Sequence, residues 1–262
     1  MKLSSLNPYY RSALLLIIMA GVLILTAVVT DHNDFTSAEL VVAGLVCLLT
    51  GVFFTTLSGS DPLDLRYLSL FSVQSCITFT RVCAELGIQG NASIIPKGRD
   101  GRTRTLQFIP VAEYHGEPLP TGMFVTGPDT AGILTEPACT PLLGLLNEQE
   151  HLHIPSDMAA LHALVRELGV DVLEVSKKIS STDDGEIITV TMEDFRLIGG
   201  CRVMAEESPR CCTTCPCPVC SLFATVFAEG TGNVIQLERC APDQKQPTVT
   251  MVFSVLLENS AD

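Results

Sequence analysis

The residues best suited to chemistry lie between positions 211 and 220, where five cysteines occur within ten residues. Two Cys-x2-Cys pairs are present in this segment, and thiolates at that spacing can bind one tetrahedral Zn²⁺ from a turn. The spacing Cys-x4-Cys-x2-Cys is also similar to that of plant-type 2Fe–2S clusters, with Cys240 as a candidate distal ligand. The segment therefore predicts a zinc or iron–sulfur site. Its candidate ligands are Cys212, Cys215, Cys217 and Cys220.

Two other interpretations of the same cysteines stay open. Cys220 falls in the first turn of a predicted helix, where the positive end of the helix dipole favours a thiolate and reversible thiol chemistry. Free cysteines also behave as small apolar side chains in a protein core. Because only Pro216 separates the two pairs, a single metal ion would need a very tight loop.

The chain that carries this segment begins with two apolar runs, residues 12–30 and 40–57, which contain no Asp, Glu, Lys, Arg or His. At a rise of about 1.5 Å per residue, each run can cross about 30 Å of hydrocarbon as a helix. We therefore predict a transmembrane helical hairpin over residues 1–59. Without ionisable side chains the hairpin is an anchor rather than an ion path. Gly21, Gly44 and Gly51 could let its helices approach closely.

Charges around the hairpin predict its orientation. Lys2 and Arg11 precede the first run and Arg66 follows the second, whereas the loop over residues 31–39 is acidic and has no Lys or Arg. The positive-inside rule then places both ends of the hairpin in the cytoplasm. A cleaved signal peptide is the alternative for the first run, but no small-x-small site precedes Asp31. We expect a multi-pass protein of the cell membrane with cytoplasmic N- and C-termini.

Composition narrows the choice of partners and of cysteine chemistry. The chain has 29 acidic and 16 basic residues, a net charge of −13, which disfavours nucleic acid as a partner. In a reducing cytoplasm the eleven cysteines are expected to bind metal, to do redox chemistry or to pack, rather than to form disulfides. Packing is the interpretation for Cys47, Cys76, Cys83 and Cys139, which lie in apolar contexts.

Residues 60–262 are predicted to form an α+β domain, because helices and antiparallel hairpins are mixed along them. Asp61 and Pro62 are typical of a helix start, and Gly87 is typical of a helix end. β-branched runs between turn residues indicate the strands. The predicted helices are 61–86, 137 or 141 to 150, 158–168 and 218–228. The predicted strands are 92–96, 106–110, 123–126, 170–175, 187–191, one near 197–204, 234–238 and 248–257.

One internal similarity predicts a duplication. Residues 76–85 align with residues 220–229 without gaps, with five of ten positions identical, and each segment continues as glycine, strand, turn and strand. Shared helical periodicity alone accounts for some of these identities. An ancestral duplication would give two helix–hairpin lobes, residues 60–130 and 156–262, with a ligand cleft between them.

Other candidate residues point to no known reaction. The cluster Lys97, Arg99, Arg102 and Arg104 is interpreted as a solvated hairpin tip, with contact to membrane headgroups as the alternative. His151 and His153 lack further ligands for a metal. The sequence has no nucleophile elbow, phosphate loop, His-Glu-x-x-His or dinucleotide fingerprint. These observations argue against an enzyme.

Three short segments carry a resemblance that covers most of the chain: Phe-Ile-Pro at 108–110, Thr-Glu-Pro at 135–137 and Pro-Val-Cys-Ser at 218–221. Together with the hairpin they resemble an uncharacterised family of archaeal two-span membrane proteins. This resemblance implies the same architecture and no activity. Relatives in that family place other residue types at Cys217 and Cys220, which weighs against a required metal.

The last third of the chain is similar to vinyl-4-reductase-type domains, which are regulatory modules that bind small molecules. Glu238 and Cys240 match the Val-rich strand of those domains, but residues 241–247 lack their Gly-Asp-x-x-Cys turn. We therefore expect a membrane-anchored, non-catalytic cytoplasmic domain that binds a small ligand or a protein partner. The alternative is a metal or thiol redox sensor that uses the cysteine segment.

Overall fold

The two apolar runs form the long helices α1 (Pro8–Val29) and α2 (Phe35–Leu57). The computed structural model describes residues 8–29, 35–57, 65–127 and 130–256. Lys2, the helix start at residues 61–62 and part of the acidic loop lie outside the described residues. By its internal contacts the chain divides into two units, Met1–Leu63 and Asp64–Asp262.

Both helices of the first unit are long and apolar enough to cross a membrane, over Ser12–Val29 and Ala38–Thr56. Most of their side chains are not covered by protein: 17% of the first span and 11% of the second are buried. Exposed apolar surface of this extent marks an interaction with a membrane or with protein.

Small residues let the two helices of this unit approach closely. A side-chain carbon added at Gly44 would lie 3.4 Å from the Ala20 carbonyl oxygen, and one added at Gly51 would lie 3.2 Å from the Ala13 carbonyl oxygen. Gly21, by contrast, has nothing within 4 Å of that position. Two of the three predicted glycines therefore lie in the helix–helix contact, as expected for small residues in membrane helices.

The second unit contains an eight-stranded sheet in which every pairing is antiparallel. The sheet order is β3-β4-β2-β1-β7-β8-β6-β5. The strands are β1 (Ser93–Ile95), β2 (Leu106–Pro110), β3 (Phe124–Thr126), β4 (Ala131–Thr135), β5 (Lys178–Asp183), β6 (Ile187–Glu193), β7 (Val234–Pro242) and β8 (Val249–Leu256).

Seven helices accompany the sheet, and the α+β class is thereby confirmed. They are α3 (Leu65–Leu68), α4 (Val73–Glu85), α5 (Thr140–Glu150), α6 (Met158–Glu167), α7 (Ile198–Glu207), α8 (Cys211–Thr214) and α9 (Pro218–Thr231). These are the α-helices that the structure describes between residues 65 and 256.

Helix α9 is the centre of the core and fixes the position of the cysteine segment. It begins with Pro218 in its first turn and ends at Gly232, whose φ of 72° suits glycine. All of its residues from Val219 to Ala228 are buried. Phe223 and Phe227 lie in one continuous core with Phe253 of β8. A helix that is apolar on every side is expected only in such a core.

Three sequence predictions are corrected by the fold. The helix predicted over 61–86 is interrupted, because a turn separates α3 from α4. The strand predicted over 170–175 overlaps a π-helical turn, Leu168–Val172, that continues α6. The strand predicted near 197–204 is instead helix α7. Short apolar runs do not distinguish a buried helix from a strand, and strands β4 and β5 were not predicted at all.

The two aligned segments lie on α4 and α9, and the first strand after each helix, β1 and β7, pair with each other. Both halves thus share one sheet. The sheet order places each hairpin outward from this central pair. The duplication itself stays a prediction.

Candidate functional site

The cysteine segment turns sharply between two helices. Cys211 and Cys212 lie on α8, Cys215 follows its last turn, and Cys217 is the N-cap residue of α9. Pro218 then occupies the first helical turn, where its lack of an N–H costs no hydrogen bond. Cys220 follows one turn into the helix.

Four sulfur atoms come together where α9 begins, and we call them the sulfur cluster: Cys212, Cys217, Cys220 and Cys240. The sulfur atoms of Cys217 and Cys220 lie 3.4 Å apart. The Cys220 sulfur lies 3.9 Å from that of Cys240 on β7, and Cys240 also forms a hydrogen bond with Cys212. All eleven cysteines are free thiols.

Cys215, the fourth predicted ligand, lies elsewhere. Its thiol forms a hydrogen bond with Cys76 on α4, and this contact together with burial raises the pKa of Cys215. The same hydrogen bond lowers the pKa of Cys76. Three of the four predicted ligands therefore lie together beside Cys240, and the fourth, Cys215, pairs with Cys76 instead.

The thiols of the sulfur cluster differ in the direction in which their pKa values are shifted. The hydrogen bond with Cys220 lowers the pKa of Cys217, in opposition to burial. The pKa of Cys220 is raised well above its ordinary value by its contacts with Cys217 and Cys240 and by burial. Hydrogen bonds with Cys212 and Cys220 hold the pKa of Cys240 well below its ordinary value. Cys217 and Cys240 are thus the groups that favour the thiolate.

Metal binding finds limited support in this arrangement. Within the described parts of the chain, no group of three or more His, Cys, Asp or Glu side chains is arranged to hold a metal ion. The thiol chemistry of the sulfur cluster nevertheless suits a soft cation. The zinc or iron–sulfur site therefore stays a prediction, with Cys240 as a better-placed fourth ligand than Cys215.

An apolar pocket of about 490 Å³ adjoins the sulfur cluster. Cys217 and the buried Cys201 form part of its wall. Burial is also the largest cause that raises the pKa of Cys201. The other walls are almost wholly apolar and include Phe71, Leu142, Val175, Phe195, Leu197 and Met204.

A polar cleft of about 730 Å³ lies on the other side of the sulfur cluster. Cys240 lines it, in the company of Asn91, Arg210, Gln236, Glu238 and Arg239. The Cys217–Cys220–Cys240 contacts therefore connect a wall of the apolar pocket to a wall of the polar cleft. Apart from the cleft that the duplication predicted between residues 60–130 and 156–262, no sequence pattern indicated these cavities, since their linings come from segments far apart in the chain.

The basic cluster at residues 97–104 makes contacts within the protein. Lys97 lies 2.8 Å from the carboxylate of Glu229, whose side chain is 7% exposed. Arg104 pairs with Glu136. Arg99 and Arg102 donate to the carbonyl oxygens of Gly116 and Leu119. These contacts hold the hairpin tip against the domain; contact with headgroups stays untested.

One constellation of catalytic residue types was missed by the sequence analysis. The imidazole of His162 lies 2.7 Å from the Ser181 hydroxyl and 2.8 Å from the Asp183 carboxylate. Ser181 and Asp183 lie two residues apart on β5, and therefore on the same face of that strand, and this spacing was the available signal. The three residues line neither the apolar pocket nor the polar cleft. We interpret them as a polar contact that fastens α6 to the sheet edge.

Fold and site together define an α+β protein with a membrane-length helical hairpin and a thiol-bearing apolar pocket. The family described as a domain of unknown function, DUF7982, matches residues 4–253, and the chain belongs to this family. Membership of an uncharacterised family is thereby confirmed, whereas the archaeal origin and the likeness to vinyl-4-reductase-type domains stay predictions. No curated protein and no solved structure matches the chain.

Proposed function

We propose that this protein is a membrane-anchored module that binds a small apolar ligand in the pocket beside Cys217. The observation that carries the proposal is the pocket itself. Its volume of about 490 Å³ lies within the range of about 300–1,000 Å³ typical of small-molecule sites. Its walls are apolar apart from two serines, the thiols and backbone groups, so it favours a ligand with a hydrocarbon body.

The rim of the pocket supports an accessible binding site. Phe71 lines the pocket and is 68% exposed, and its neighbour in the wall, Leu68, is 41% exposed. When a ligand covers a large aromatic side chain at the mouth of a pocket, the apolar surface of that side chain is removed from contact with water. Burial of apolar surface contributes about 25 cal/mol per Å², so an apolar ligand that packs on Phe71 gains affinity.

Anchoring in a membrane is the second part of the proposal. The two helices have mean hydropathies of 2.8 and 2.1 over their spans, and their outward-facing side chains are mostly apolar. Lipid is the solvent that such surface favours. The positive-inside rule supports an orientation with both termini in the cytoplasm, because Lys2, Arg11 and Arg66 flank the hairpin.

A photo-cross-linking experiment tests ligand binding. The full chain in lipid nanodiscs is irradiated with a long-chain alcohol that carries a diazirine, and labelled peptides are located by mass spectrometry. We expect labelling of peptides that line the pocket. Leu142→Trp on α5 fills the pocket and should reduce that labelling several-fold. Leu145→Trp on the same helix, at a residue 48% exposed and outside the pocket, is the matched control. Equal labelling of both variants would contradict the proposal.

A metal-binding role is the second candidate function. The observation that favours it is that the Cys220 sulfur lies 3.4 Å from the Cys217 sulfur and 3.9 Å from the Cys240 sulfur. Thiolates at such separations can share a Zn²⁺ ion with bonds of about 2.3 Å. Metal analysis of the intact protein distinguishes this candidate from the first.

A further inference from the structure

Resting on the apolar pocket of the proposed function, we propose that Cys217 and Cys220 form a redox-active dithiol in the pocket wall. Cys217 is the nucleophile toward an organic hydroperoxide whose apolar body occupies the pocket. Cys220 is the resolving thiol that completes a disulfide.

The geometry at the start of α9 separates these two roles. Cys217 is the N-cap residue, is half-buried and lines the apolar pocket. Cys220 is 1% exposed and lies behind it. A ligand in the pocket therefore meets the Cys217 sulfur first. Since the two sulfur atoms lie 3.4 Å apart, they must approach by about 1.4 Å to reach the disulfide bond length.

Electrostatics assigns the same roles. A thiol at a helix N-terminus is the more acidic member of a Cys-x-x-Cys pair, because the helix dipole stabilises its thiolate. Cys220 lies one turn further into the helix, is almost fully buried, and has its sulfur 3.4 Å from that of Cys217. A reactive thiol in front and a second thiol within reach behind it is the arrangement that two-step oxidation needs.

The chemistry balances in two steps. The Cys217 thiolate attacks the distal peroxide oxygen; the O–O bond breaks, an S–O bond forms, and the alkoxide leaves as an alcohol after it takes a proton. The Cys220 sulfur then attacks the Cys217 sulfenic acid; its S–O bond breaks, the S–S bond forms, and water leaves with the Cys220 proton. Two electrons pass from the two sulfurs to the peroxide. A small-molecule dithiol returns them.

Cys240 gives the pair a connection to the polar cleft. Its sulfur lies 3.9 Å from that of Cys220, and Cys240 also forms a hydrogen bond with Cys212. Formation of the Cys217–Cys220 bond removes the Cys220 thiol proton. Cys240 in the wall of the polar cleft then keeps only its hydrogen bond with Cys212, so oxidation of the pair beside the pocket changes the hydrogen bonding of a residue in the cleft.

The test uses the full chain in lipid nanodiscs, reduced and freed of reductant without oxygen. Cumene hydroperoxide is added, free thiols are alkylated with one isotopic reagent, and oxidised thiols are reduced and alkylated with a second. We expect Cys217 and Cys220 to carry the second label together. Because the cumyl group can be buried in the pocket, oxidation by cumene hydroperoxide should be about tenfold faster than by hydrogen peroxide at equal concentration.

Three variants separate the roles. Cys217→Ser should abolish oxidation of Cys220. Cys220→Ser should leave a Cys217 sulfenic acid that dimedone traps. Cys83→Ser changes a fully buried cysteine in a different core cluster and should leave the oxidation rate unchanged. A disulfide that joins other cysteines, or two thiols that stay fully available to the first reagent, would overturn the dithiol.

The photo-cross-linking experiment on the same nanodiscs separates failure of this inference from failure of the proposed function. Labelled pocket peptides without oxidation of Cys217 would overturn the dithiol and leave the ligand pocket standing. Equal rates with cumene hydroperoxide and hydrogen peroxide would overturn the assignment of an apolar substrate. Stoichiometric zinc that shields both thiols from alkylation would overturn the redox role in favour of metal binding.

Discussion

Gly51 of α2 lies so close to the backbone of Ala13 of α1 that a methyl group at Gly51 would stand 3.2 Å from the Ala13 carbonyl oxygen. Gly51→Leu should therefore separate the helices of the hairpin and destabilise it by about 1–3 kcal/mol. The measurement is the SDS fraction at which the purified full chain loses helical structure. Gly21→Leu is the control, because nothing lies within 4 Å of its added side chain. Equal shifts for both variants would show that the contact does not hold the hairpin.

Membrane insertion and orientation can be measured together. We expect the protein to remain with the membrane fraction through alkaline carbonate washing, because two apolar spans leave a bilayer only at large cost. A reporter active only in the cytoplasm should be active when fused after Asp262 and inactive when inserted into the loop at residues 31–34. Activity of an exported reporter at the C-terminus would reverse the orientation and would place the cysteines in an oxidising compartment.

Alkylation of Cys217 should depend on pH in a defined direction. Only the thiolate reacts, and the pKa of Cys217 is lowered by its hydrogen bond with Cys220. The rate of labelling by iodoacetamide should therefore reach half its maximum at a lower pH in the folded protein than it does for an unperturbed thiol. Protein unfolded in urea supplies the midpoint of the unperturbed thiol. In Cys220→Ala the hydrogen-bond partner is removed, and the folded midpoint should move upward.

Metal content should depend on different cysteines from those predicted by spacing alone. Full-length protein purified without oxygen is expected to contain less than one Zn or Fe per chain, because the described residues offer no three-ligand group. Elemental analysis would contradict this by finding stoichiometric metal. In that case Cys220→Ser should remove the metal and Cys215→Ser should retain it, since Cys215 is paired with Cys76.

Two glycines of the second unit should respond to alanine in opposite ways. At Gly132 on β4 a side-chain carbon would lie 2.3 Å from the Ile109 carbonyl oxygen and 2.7 Å from the Phe108 ring. Gly132→Ala should lower stability by about 1–3 kcal/mol. Gly144 lies inside α5 with open space around it, and Gly144→Ala should raise stability by about 0.5–1 kcal/mol. Urea unfolding of the full chain in detergent measures both. A loss at Gly144 would contradict this reasoning.

Local signals in the sequence predicted much of the fold. Helix α9 was predicted to begin at Pro218 and to stop at glycine, because both signals act within a few residues. The apolar run near 197–204 was wrongly predicted as a strand; it forms helix α7, in which Gly200 packs against the backbone of Ser69. A side-chain carbon at Gly200 would lie 2.2 Å from the Ser69 carbonyl oxygen, and no local pattern reveals that contact.

Some features of the candidate site likewise follow from local spacing in the sequence, and others follow only from tertiary packing. Spacing predicted that Cys217 and Cys220 lie together, because one helical turn separates them. Cys240 contacts Cys220 because β7 lies beside α9. Cys215 lies apart from the sulfur cluster because it pairs with Cys76 on α4. The pocket depends on residues from α3, α5 and α7. Tertiary packing, rather than sequence proximity, decides these features.

The central place of the β1–β7 pair has a consequence for biosynthesis. Ile94 pairs with Ile235, so the nascent chain must lengthen by more than one hundred residues after β1 leaves the ribosome before that strand finds its neighbour. During this interval the β4-β2-β1 portion presents an unpaired edge with buried-type isoleucines, a template for aggregation. Chains truncated ahead of β7 should therefore depend on chaperones and accumulate as insoluble protein.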